Sequence, residues 1–291
     1  MFFSKQGYIE VTGGRVWYGV AGADSPGTPL LTIHGGPGAT HDYLEPLMEL
    51  ACERPVIYYD QLGGGNSDRP EDPSLWTIER FSLELAQLRS ALHLEKLHIL
   101  GQSWGTMLAV HYMLTKNNGG VKSLTLCSPY LSTPIWKEDQ RRYIESLPPD
   151  ISNSIINNEA TGNFGSMEYL DAMNHFYRLH LCRMEPWPDC LNRTFSGMGF
   201  GVYNLMWGHS EFTITGSLKD KDLSGELAKL TVPVLYICGE FDEATPATTN
   251  IYHQMTPGSE IAVIAGASHM AHLERPREFF SALREFMKKS E

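Results

Sequence analysis

The apolar residues of this chain fall into short runs separated by polar or glycine-rich turns. Uninterrupted apolar runs of about four to eight residues are typical of strands covered on both faces. In the first half of the chain, mainly apolar runs of this kind are Leu30–Ile33, 55–59 and 97–100, and another strand is predicted at Val121–Cys127. Residues 7–11 and 15–20 instead alternate between apolar and polar side chains around Thr12-Gly13-Gly14, which predicts an antiparallel hairpin.

The intervals between these runs contain predicted helices. Apolar side chains at 78, 81, 85, 88 and 92 lie on one face of a helix, and helices are also predicted at 42–51 and 276–288. Two further apolar runs, 232–238 and Glu260–Ile264, predict strands near the end of the chain. Strands that alternate with helices form a mainly parallel sheet covered on both faces, so the sequence predicts an α/β fold.

The alternation stops between about residues 131 and 215. This interval is rich in aromatic residues, and 167–181 has the pattern of a helix. We therefore expect a helical cap at 131–215, inserted into a core domain formed by 1–130 and 216–291. Most of the aromatic side chains should pack within the cap, and a few should line a pocket.

Composition narrows the class of partner. The chain has 291 residues, 42% of them hydrophobic and 20% charged, with a formal net charge of −11 and no basic run. This length suits one large domain or two small ones. The acidic balance favours solubility and argues against nucleic acid and anionic membranes as partners. No apolar stretch has the length of a membrane span.

Cysteine usage and the first residues bear on the compartment. The five cysteines are widely spaced and form no C-x-x-C pair, so neither a disulfide framework nor a zinc site is expected. The first residues lack the apolar core of a signal peptide, and a cytoplasmic protein is predicted. No two histidines stand in the H-E-x-x-H pattern or a similar one, and no metal or other cofactor is expected.

Residues 101–105, Gly-Gln-Ser-Trp-Gly, match the pattern G-x-S-x-G. The apolar run 97–100 precedes them and the apolar segment 107–114 follows, which is the strand–turn–helix context of a nucleophile elbow. Such a turn strains the serine backbone and exposes its hydroxyl, while side chains at Gly101 and Gly105 would strike neighbouring backbone. Ser103 is therefore the predicted nucleophile.

A serine nucleophile needs a base to take its proton, and the base needs a carboxylate to hold its tautomer. In a parallel sheet such groups gather beyond the carboxyl ends of the strands. The acids and histidines that follow predicted strands are His34, Asp60, Asp242, Glu243, His269 and, less closely, His272. The order Ser103, Asp242, His269 matches the order of nucleophile, acid and base in one class of hydrolase.

A glycine-rich turn at 34–38, His-Gly-Gly-Pro-Gly, follows a predicted strand and precedes the serine motif. Acyl transfer builds negative charge on the substrate's carbonyl oxygen, which requires hydrogen-bond donors fixed in advance. The backbone N–H of Gly35 or Gly36 can point inward to form such an oxyanion hole. The N–H of Trp104 is the expected second donor.

Together these motifs resemble the α/β hydrolases, and more narrowly the proline iminopeptidases (prolyl aminopeptidases), a family that includes the archaeal tricorn-interacting aminopeptidase. The resemblance covers nearly the whole chain and implies an eight-stranded sheet with a helical cap. The matching segments are 34–38, 59–63 (Tyr-Asp-Gln-Leu-Gly), 101–105, 211–216 (Glu-Phe-Thr-Ile-Thr-Gly), 239–243 (Gly-Glu-Phe-Asp-Glu) and 268–269 (Ser-His).

The resemblance also implies roles for individual residues. The implied catalytic triad is Ser103, Asp242 and His269. Gly35 and Trp104 are implied at the oxyanion hole. Glu211 and Glu243 are implied to bind the free amino group of the substrate; the first lies at the end of the cap and the second directly follows the triad acid.

The predicted function is a serine aminopeptidase that releases an N-terminal residue, preferably proline, from short peptides through an acyl-enzyme. Its expected partners are short peptides or amino-acid amides with a free N-terminus. An L-amino-acid amidase stays open as an alternative on the same triad. A lipase-like esterase is less favoured, because carboxylates do not suit an apolar acyl group. A hydrolase fold that only binds a ligand is disfavoured by the complete triad.

Overall fold

The computed structural model describes residues 3–116 and 118–291. The strands of its sheet are β1 (Lys5–Val11), β2 (Gly14–Ala21), β3 (Leu30–Ile33), β4 (Val56–Tyr59), β5 (Leu97–Gln102), β6 (Val121–Cys127), β7 (Val234–Gly239) and β8 (Glu260–Ile264). In the described part of the chain these eight strands form one sheet in the order β1-β2-β4-β3-β5-β6-β7-β8. Each predicted strand is confirmed to within two residues at either end.

The sheet is antiparallel at one edge and parallel elsewhere. β1 pairs with β2, and β2 with β4, in antiparallel fashion, while the other neighbours are parallel. Ile33 at the end of β3 pairs with Gly101, and Gln102 at the end of β5 pairs with Cys127. The carboxyl ends of three neighbouring strands therefore lie side by side, and the loops that leave them approach one another.

The helices cover both faces of the sheet and fill the interval between β6 and β7. In the described residues the α-helices are α1 (Ile78–Ala91), α2 (Trp104–Thr115), α3 (Thr133–Ser146), α4 (Pro149–Thr161), α5 (Met167–His180), α6 (Asp189–Ser196), α7 (Phe200–Met206), α8 (Pro246–Met255), α9 (Ala271–Glu274) and α10 (Pro276–Lys289). The predicted helices correspond to α1, α2, α5 and α10 within a few residues. No pattern in the sequence singled out α8.

Consecutive side chains of the central strands enter different cores. Leu31 and Ile99 belong to the buried cluster that includes α1 and α2, whereas Leu30 and Leu100 belong to the cluster that includes α10. Successive side chains of a strand point to opposite faces of the sheet. An uninterrupted apolar run is therefore what a strand needs when both of its faces are covered.

One predicted helix has a different geometry. The segment Asp42–Cys52 forms a 3-10 helix, whereas the apolar spacing predicted an ordinary helix over 42–51. Pro46 lies inside the segment, and proline has no N–H to donate and collides with the preceding helical turn. The segment still buries Tyr43, Leu44 and Leu47 against the sheet.

Helices α3–α7 lie within the interval for which the sequence predicts a cap. They have apolar packing of their own, in which Ile155, Tyr169 and Phe176 are buried. The loop after α6 is joined to the loop after β3 by a 2.7 Å hydrogen bond from the Gly199 N–H to the Gly38 carbonyl. The boundaries of the cap domain, 131–215, stay a prediction.

The five cysteine thiols are all free. Cys127, Cys182, Cys190 and Cys238 are buried, and Cys52 is exposed. Burial raises the pKa of Cys182 and of Cys238 to about 12, so these thiols are neutral packing groups rather than nucleophiles. Within residues 3–116 and 118–291, no helix is both long enough and apolar enough to cross a membrane.

Candidate active site

Ser103 joins β5 to α2 in the strained turn that the sequence predicts. Its backbone has φ 55° and ψ −125°, a conformation that residues other than glycine rarely adopt. A Cβ atom on Gly101 would collide with the carbonyl oxygen of Gly105, and one on Gly105 would collide with that of Ile33. Both glycines of the motif are therefore required by the close approach of backbone segments.

His269 and Asp242 are joined by a short hydrogen bond. The Nδ1–H of His269 donates to Asp242 Oδ1 at 2.7 Å, and both side chains are buried. Three further donors reach the same carboxylate: Ser128 Oγ at 2.7 Å, the Ala244 N–H at 2.8 Å and the Gly239 N–H at 3.2 Å. These bonds fix the orientation of the acid, which in turn fixes the imidazole ring.

Ser103 and His269 line one cavity of about 620 Å³ at the carboxyl ends of the strands. The described hydrogen bonds do not include one between the serine Oγ and His269 Nε2. That nitrogen lies 3.4 Å from Oε1 of Glu243 instead. Catalytic hydrogen bonds are often long in enzymes without substrate, so the shared cavity is the relevant observation for pairing the serine with the histidine.

The three backbone amides considered for the oxyanion hole differ in their hydrogen bonds. The Gly35 N–H, implied at the oxyanion hole, donates to the Tyr43 hydroxyl at 2.7 Å. By contrast, the N–H groups of Gly36 and Trp104 have no acceptor among the described residues, and both residues line the cavity. Trp104 is the first residue of α2, where an amide has no partner within the helix. The amides of Gly36 and Trp104 are therefore left to donate to an oxyanion, while the amide of Gly35 is engaged; the oxyanion role of these residues stays a proposal.

Two glutamates from different loops line the same cavity. Glu243 follows Asp242 in the loop after β7, and Glu211 lies in the loop after α7. The Tyr203 hydroxyl donates to Glu211 Oε1 at 2.7 Å, while Oε2 of Glu243 is buried and has no hydrogen-bond partner among the described residues. Both glutamates thus line the cavity that contains Ser103 and His269, and their role as an amine site stays a proposal.

Burial and mutual repulsion perturb the ionisation of this cluster. Burial raises the pKa of Glu243 to about 8, with Glu211 and Asp242 adding repulsion and His269 opposing it. Burial also raises the pKa of Glu211. For His269, burial alone would lower the pKa, but the carboxylates of Glu243 and Asp242 outweigh it and raise the pKa to about 9. The protonation state of each of these three side chains thus depends on the charges of the other groups in the site.

The rest of the cavity wall is mainly apolar and comes largely from the helices between β6 and β7. Side chains from this interval that line it are Leu181, Leu191, Phe195, Met198, Tyr203 and Trp207. Three of these are among the aromatic residues of the interval, which agrees with the expectation that only a few of them line a pocket. Others, such as Phe176, pack within the interval itself. The cavity thus combines charged groups at one end with an apolar wall.

Comparison with known proteins decides the family. A family model described as the alpha/beta hydrolase fold matches residues 28–276. The proline iminopeptidase of Heyndrickxia coagulans is 46% identical over 283 residues, which cover 97% of this chain and 98% of that protein. The chain belongs to the proline iminopeptidase family of α/β hydrolases. The family resemblance inferred from the motifs is therefore confirmed.

Two solved structures show that the likeness to the family extends over the whole molecule. The crystal structure of VinJ matches with a TM-score of 0.95 and 33% identity, and covers 100% of both chains. That of the proline iminopeptidase of Mycobacterium smegmatis matches with a TM-score of 0.91 and 33% identity over 98% of each chain. Coverage this complete includes helices α3–α7 as well as the sheet.

The other acid and histidine candidates at strand ends have structural partners. His34 accepts a hydrogen bond at Nε2 from the Gln61 N–H at 3.0 Å, and Asp60 is paired with His41 Nδ1 at 2.7 Å. The Nε2–H of His272 donates to a backbone carbonyl at 2.9 Å, and burial lowers its pKa to about 4. None of the three candidates, His34, Asp60 and His272, is among the described residues that line the cavity.

Sequence reasoning missed a hydrogen-bonded link among the three loops of the site. The Tyr43 hydroxyl accepts the Gly35 N–H and donates to Gln102 Oε1 at 2.5 Å. Gln102 Nε2 donates in turn to the His269 carbonyl at 3.3 Å. Gln102 was visible as the residue before the nucleophile, but Tyr43 carried no signal because it comes 59 residues earlier in the chain.

Proposed function

We propose that this chain is a serine aminopeptidase that releases an N-terminal residue, preferably proline, from short peptides through an acyl-enzyme. The observation that carries the proposal is the meeting of two kinds of group in one cavity. One is the serine and histidine of an acyl-transfer site, and the other is a pair of glutamates, of which Glu243 is buried and Glu211 partly buried. Along the described lining of this cavity there is no lysine or arginine to neutralise them.

The geometry supports the following chemistry. Ser103 attacks the carbonyl carbon of the first residue while Nε2 of His269 takes the hydroxyl proton. The resulting oxyanion accepts hydrogen bonds from the N–H groups of Gly36 and Trp104. His269 gives its proton to the departing amine, the C–N bond breaks, and the first residue stays on the serine as an ester.

Deacylation repeats these steps with water. A water molecule loses a proton to His269 and attacks the ester, and the second oxyanion occupies the same two amides. When this intermediate collapses, the serine oxygen leaves with the proton from His269, and the free amino acid is released. Asp242 holds the imidazole and stabilises its cationic form in both halves of the reaction.

The two glutamates account for the requirement of a free N-terminus. An ammonium group is costly to bury unless carboxylates or other acceptors pair with it. Glu211 and Glu243 offer two carboxylates beside the reacting groups. A blocked N-terminus brings no charge and leaves both carboxylates unpaired, so acylated substrates should be very poor.

The preference for proline has a geometric basis in the same groups. The N-terminal nitrogen of a prolyl peptide is a secondary ammonium with two N–H hydrogens, one for each of Glu211 and Glu243. Its ring carbons need an apolar surface, which side chains such as Phe195 and Leu191 provide. The name shared by the curated relatives supports this substrate.

An amino-acid amidase would use the same triad and amine site with a smaller leaving group, and stays the second candidate. The proposed substrates are short peptides. The name of the relatives supports peptides as the class of substrate. We further propose a cytoplasmic location, which the five free thiols support, because reducing compartments keep cysteines unpaired.

A substrate panel tests the proposal. It comprises aminoacyl-naphthylamides, dipeptides and amino-acid amides, each with proline, alanine or leucine as the first residue. The proposal predicts that prolyl compounds have the highest kcat/KM and that dipeptides are cleaved. Turnover of amides with no cleavage of dipeptides would instead establish an amidase.

A further inference from the structure

The atom of His269 that must take the serine proton already has a partner. Its Nε2 lies 3.4 Å from Oε1 of Glu243, and both side chains are only 2–3% exposed. The opposite ring nitrogen is bonded to Asp242 at 2.7 Å. The imidazole is therefore held between two buried carboxylates, one on each nitrogen, and this arrangement suits an imidazolium ion better than a neutral ring.

The remaining charged and titratable groups around the ring act in the same direction or are neutral. Glu211 faces it across the cavity from the loop after α7 and adds further negative potential. His272, on α9, has its pKa lowered to about 4 by burial and carries no positive charge at neutral pH. In the described lining of the cavity, His269 is thus the one side chain that can supply a cation to the carboxylates.

We propose that Glu243 holds His269 in its protonated, inactive form, and that the ammonium group of the substrate releases the base by taking over Glu243. This inference rests on the proposed function, since it gives the amine-binding glutamate a second role. Glu243 is well placed for the exchange, because it lines the cavity and its Oε2 has no hydrogen-bond partner among the described residues. The carboxylates of Glu243 and Asp242 raise the pKa of His269 to about 9, and His269 in turn opposes the rise that burial causes in the pKa of Glu243.

The proton balance of the exchange is simple. Before binding, His269 carries protons on both nitrogens and Glu243 is a carboxylate. When the substrate binds as an ammonium ion, its N–H groups replace the imidazolium at Glu243, and the Nε2 proton leaves to bulk water. A substrate that arrives as the free amine takes this proton itself and reaches the same bound state. In both cases Nε2 is left with the lone pair that accepts the Ser103 proton.

The consequence is that amine recognition acts on turnover as well as on affinity. A substrate without an amino group meets a protonated base at neutral pH and reacts slowly even when its acyl group fits. Removing the negative charge of Glu243 should therefore make the enzyme a worse aminopeptidase and a better esterase. A glutamate that only binds the amine would not produce this second effect.

The experiment compares p-nitrophenyl acetate, an ester without an amine, with L-prolyl-β-naphthylamide in the full-length enzyme and in Glu243→Gln. For the ester, kcat/KM of Glu243→Gln should rise with pH through an apparent pKa at least about one unit lower than in the parent enzyme. Since one pKa unit is tenfold in the deprotonated fraction, hydrolysis of the ester at pH 7 should be about tenfold faster or more. Cleavage of the prolyl substrate should fall strongly.

Glu211→Gln is the matched control, because Glu211 lies in the same cavity without direct contact to the ring. It should also lose the prolyl activity, but its ester profile should move less than that of Glu243→Gln. An ester profile that is the same in all three enzymes, with prolyl activity lost in both variants, would overturn this inference and leave the proposed function intact. A shifted ester profile in an enzyme that never cleaves prolyl substrates would support the pairing of Glu243 with His269 and overturn the proposed function.

A second measurement needs no variant and so does not depend on the folding of Glu243→Gln. Ammonium chloride, compared with potassium chloride at the same concentration and pH 7, should accelerate hydrolysis of p-nitrophenyl acetate by the unmodified enzyme. The two cations are alike in size, but only ammonium donates hydrogen bonds to carboxylates. Equal rates in the two salts up to molar concentration would contradict release of the base by an ammonium group.

Discussion

The Nδ1–H of His269 and Oδ1 of Asp242 form a 2.7 Å hydrogen bond between two side chains that are almost completely buried. Asp242 comes from the loop after β7 and His269 from the loop after β8. The bond therefore depends on the parallel pairing of these strands, in which Gly239 lies beside Ile264. It sets which nitrogen of the ring is left to face Ser103.

Asp242→Asn tests this orientation. An asparagine keeps the size of the side chain but can present an N–H to Nδ1, which stabilises the wrong tautomer of His269. We expect kcat for L-prolyl-β-naphthylamide to fall by about 10⁴ with a small change in KM. The variant should unfold at nearly the parent temperature in circular dichroism. A loss of less than tenfold in a folded variant would remove Asp242 from its proposed role.

The sheet could be predicted because its strands are covered on both faces. Each central strand then needs side chains that can be buried at successive positions, and mainly apolar runs such as Leu30–Ile33 and Val56–Tyr59 stand out in the sequence. The candidate acid and base could be located by the same logic, since Asp242 and His269 directly follow such runs. The order of these residues in the chain and their position after strands can both be read from the sequence.

What could not be predicted depends on contacts between distant segments. In the interval from α3 to α7 apolar residues pack against one another as well as against the core, so only α5 was recognisable as a helix from its sequence. The choice between Gly35 and Gly36 turns on the hydroxyl of Tyr43, which reaches the Gly35 amide from the 3-10 helix. The ionisation of His269 depends on Glu211, 58 residues away in the chain, as well as on its neighbours in the site.

Tyr43→Phe tests whether the link between the loops positions the oxyanion donors. The change leaves the Gly35 N–H and Gln102 Oε1 without their common partner, and each unpaired buried group costs about 1–3 kcal/mol. We expect kcat to fall by roughly tenfold or more, with KM less affected, because the loop that carries the Gly36 amide loses its anchor. Steady-state kinetics with L-prolyl-β-naphthylamide measures the effects on kcat and KM separately.

The control for this change is Tyr58→Phe. The Tyr58 hydroxyl is buried but has no hydrogen-bond partner among the described residues, and the side chain lies on the neighbouring strand β4. Its removal should leave kcat unchanged and stability equal or slightly higher. Equal kinetic effects of the two substitutions would show that the Tyr43 hydroxyl acts only through general packing.

Gly199→Ala tests the close contact between the loop after α6 and the core. A Cβ atom at Gly199 would collide with the carbonyl oxygen of Gly63, so backbone must move to admit it. We expect the free energy of unfolding to fall by about 1–3 kcal/mol in urea denaturation. Gly201→Ala, two residues later in α7, meets nothing within 4 Å and should be neutral or stabilising by about 0.5–1 kcal/mol. Similar destabilisation by both would place the effect in the helix rather than in this contact.

The pH dependence of prolyl cleavage follows from the charges around His269. Its pKa is raised to about 9, so the base is protonated below that pH and activity should increase as pH rises toward it. The acid limb of kcat/KM, which reports the free enzyme, should lie well above the ordinary histidine value of about 6.5. The acid limb of kcat, which reports the complex, should lie lower, because the substrate cation opposes protonation. Coincident limbs near 6.5 would contradict the electrostatics described.

The central claim is that a serine acyl-transfer site and an amine site act together on one substrate. The most direct measurement is the ratio of kcat/KM for L-prolyl-β-naphthylamide to that for its N-acetyl derivative, with Ser103→Ala as the blank. Losing one member of a buried charge pair costs about 2–5 kcal/mol, so the ratio should be at least about 30. The Ser103→Ala enzyme should cleave neither compound measurably. Equal turnover of the free and acetylated substrates, or cleavage that survives in Ser103→Ala, would contradict the account.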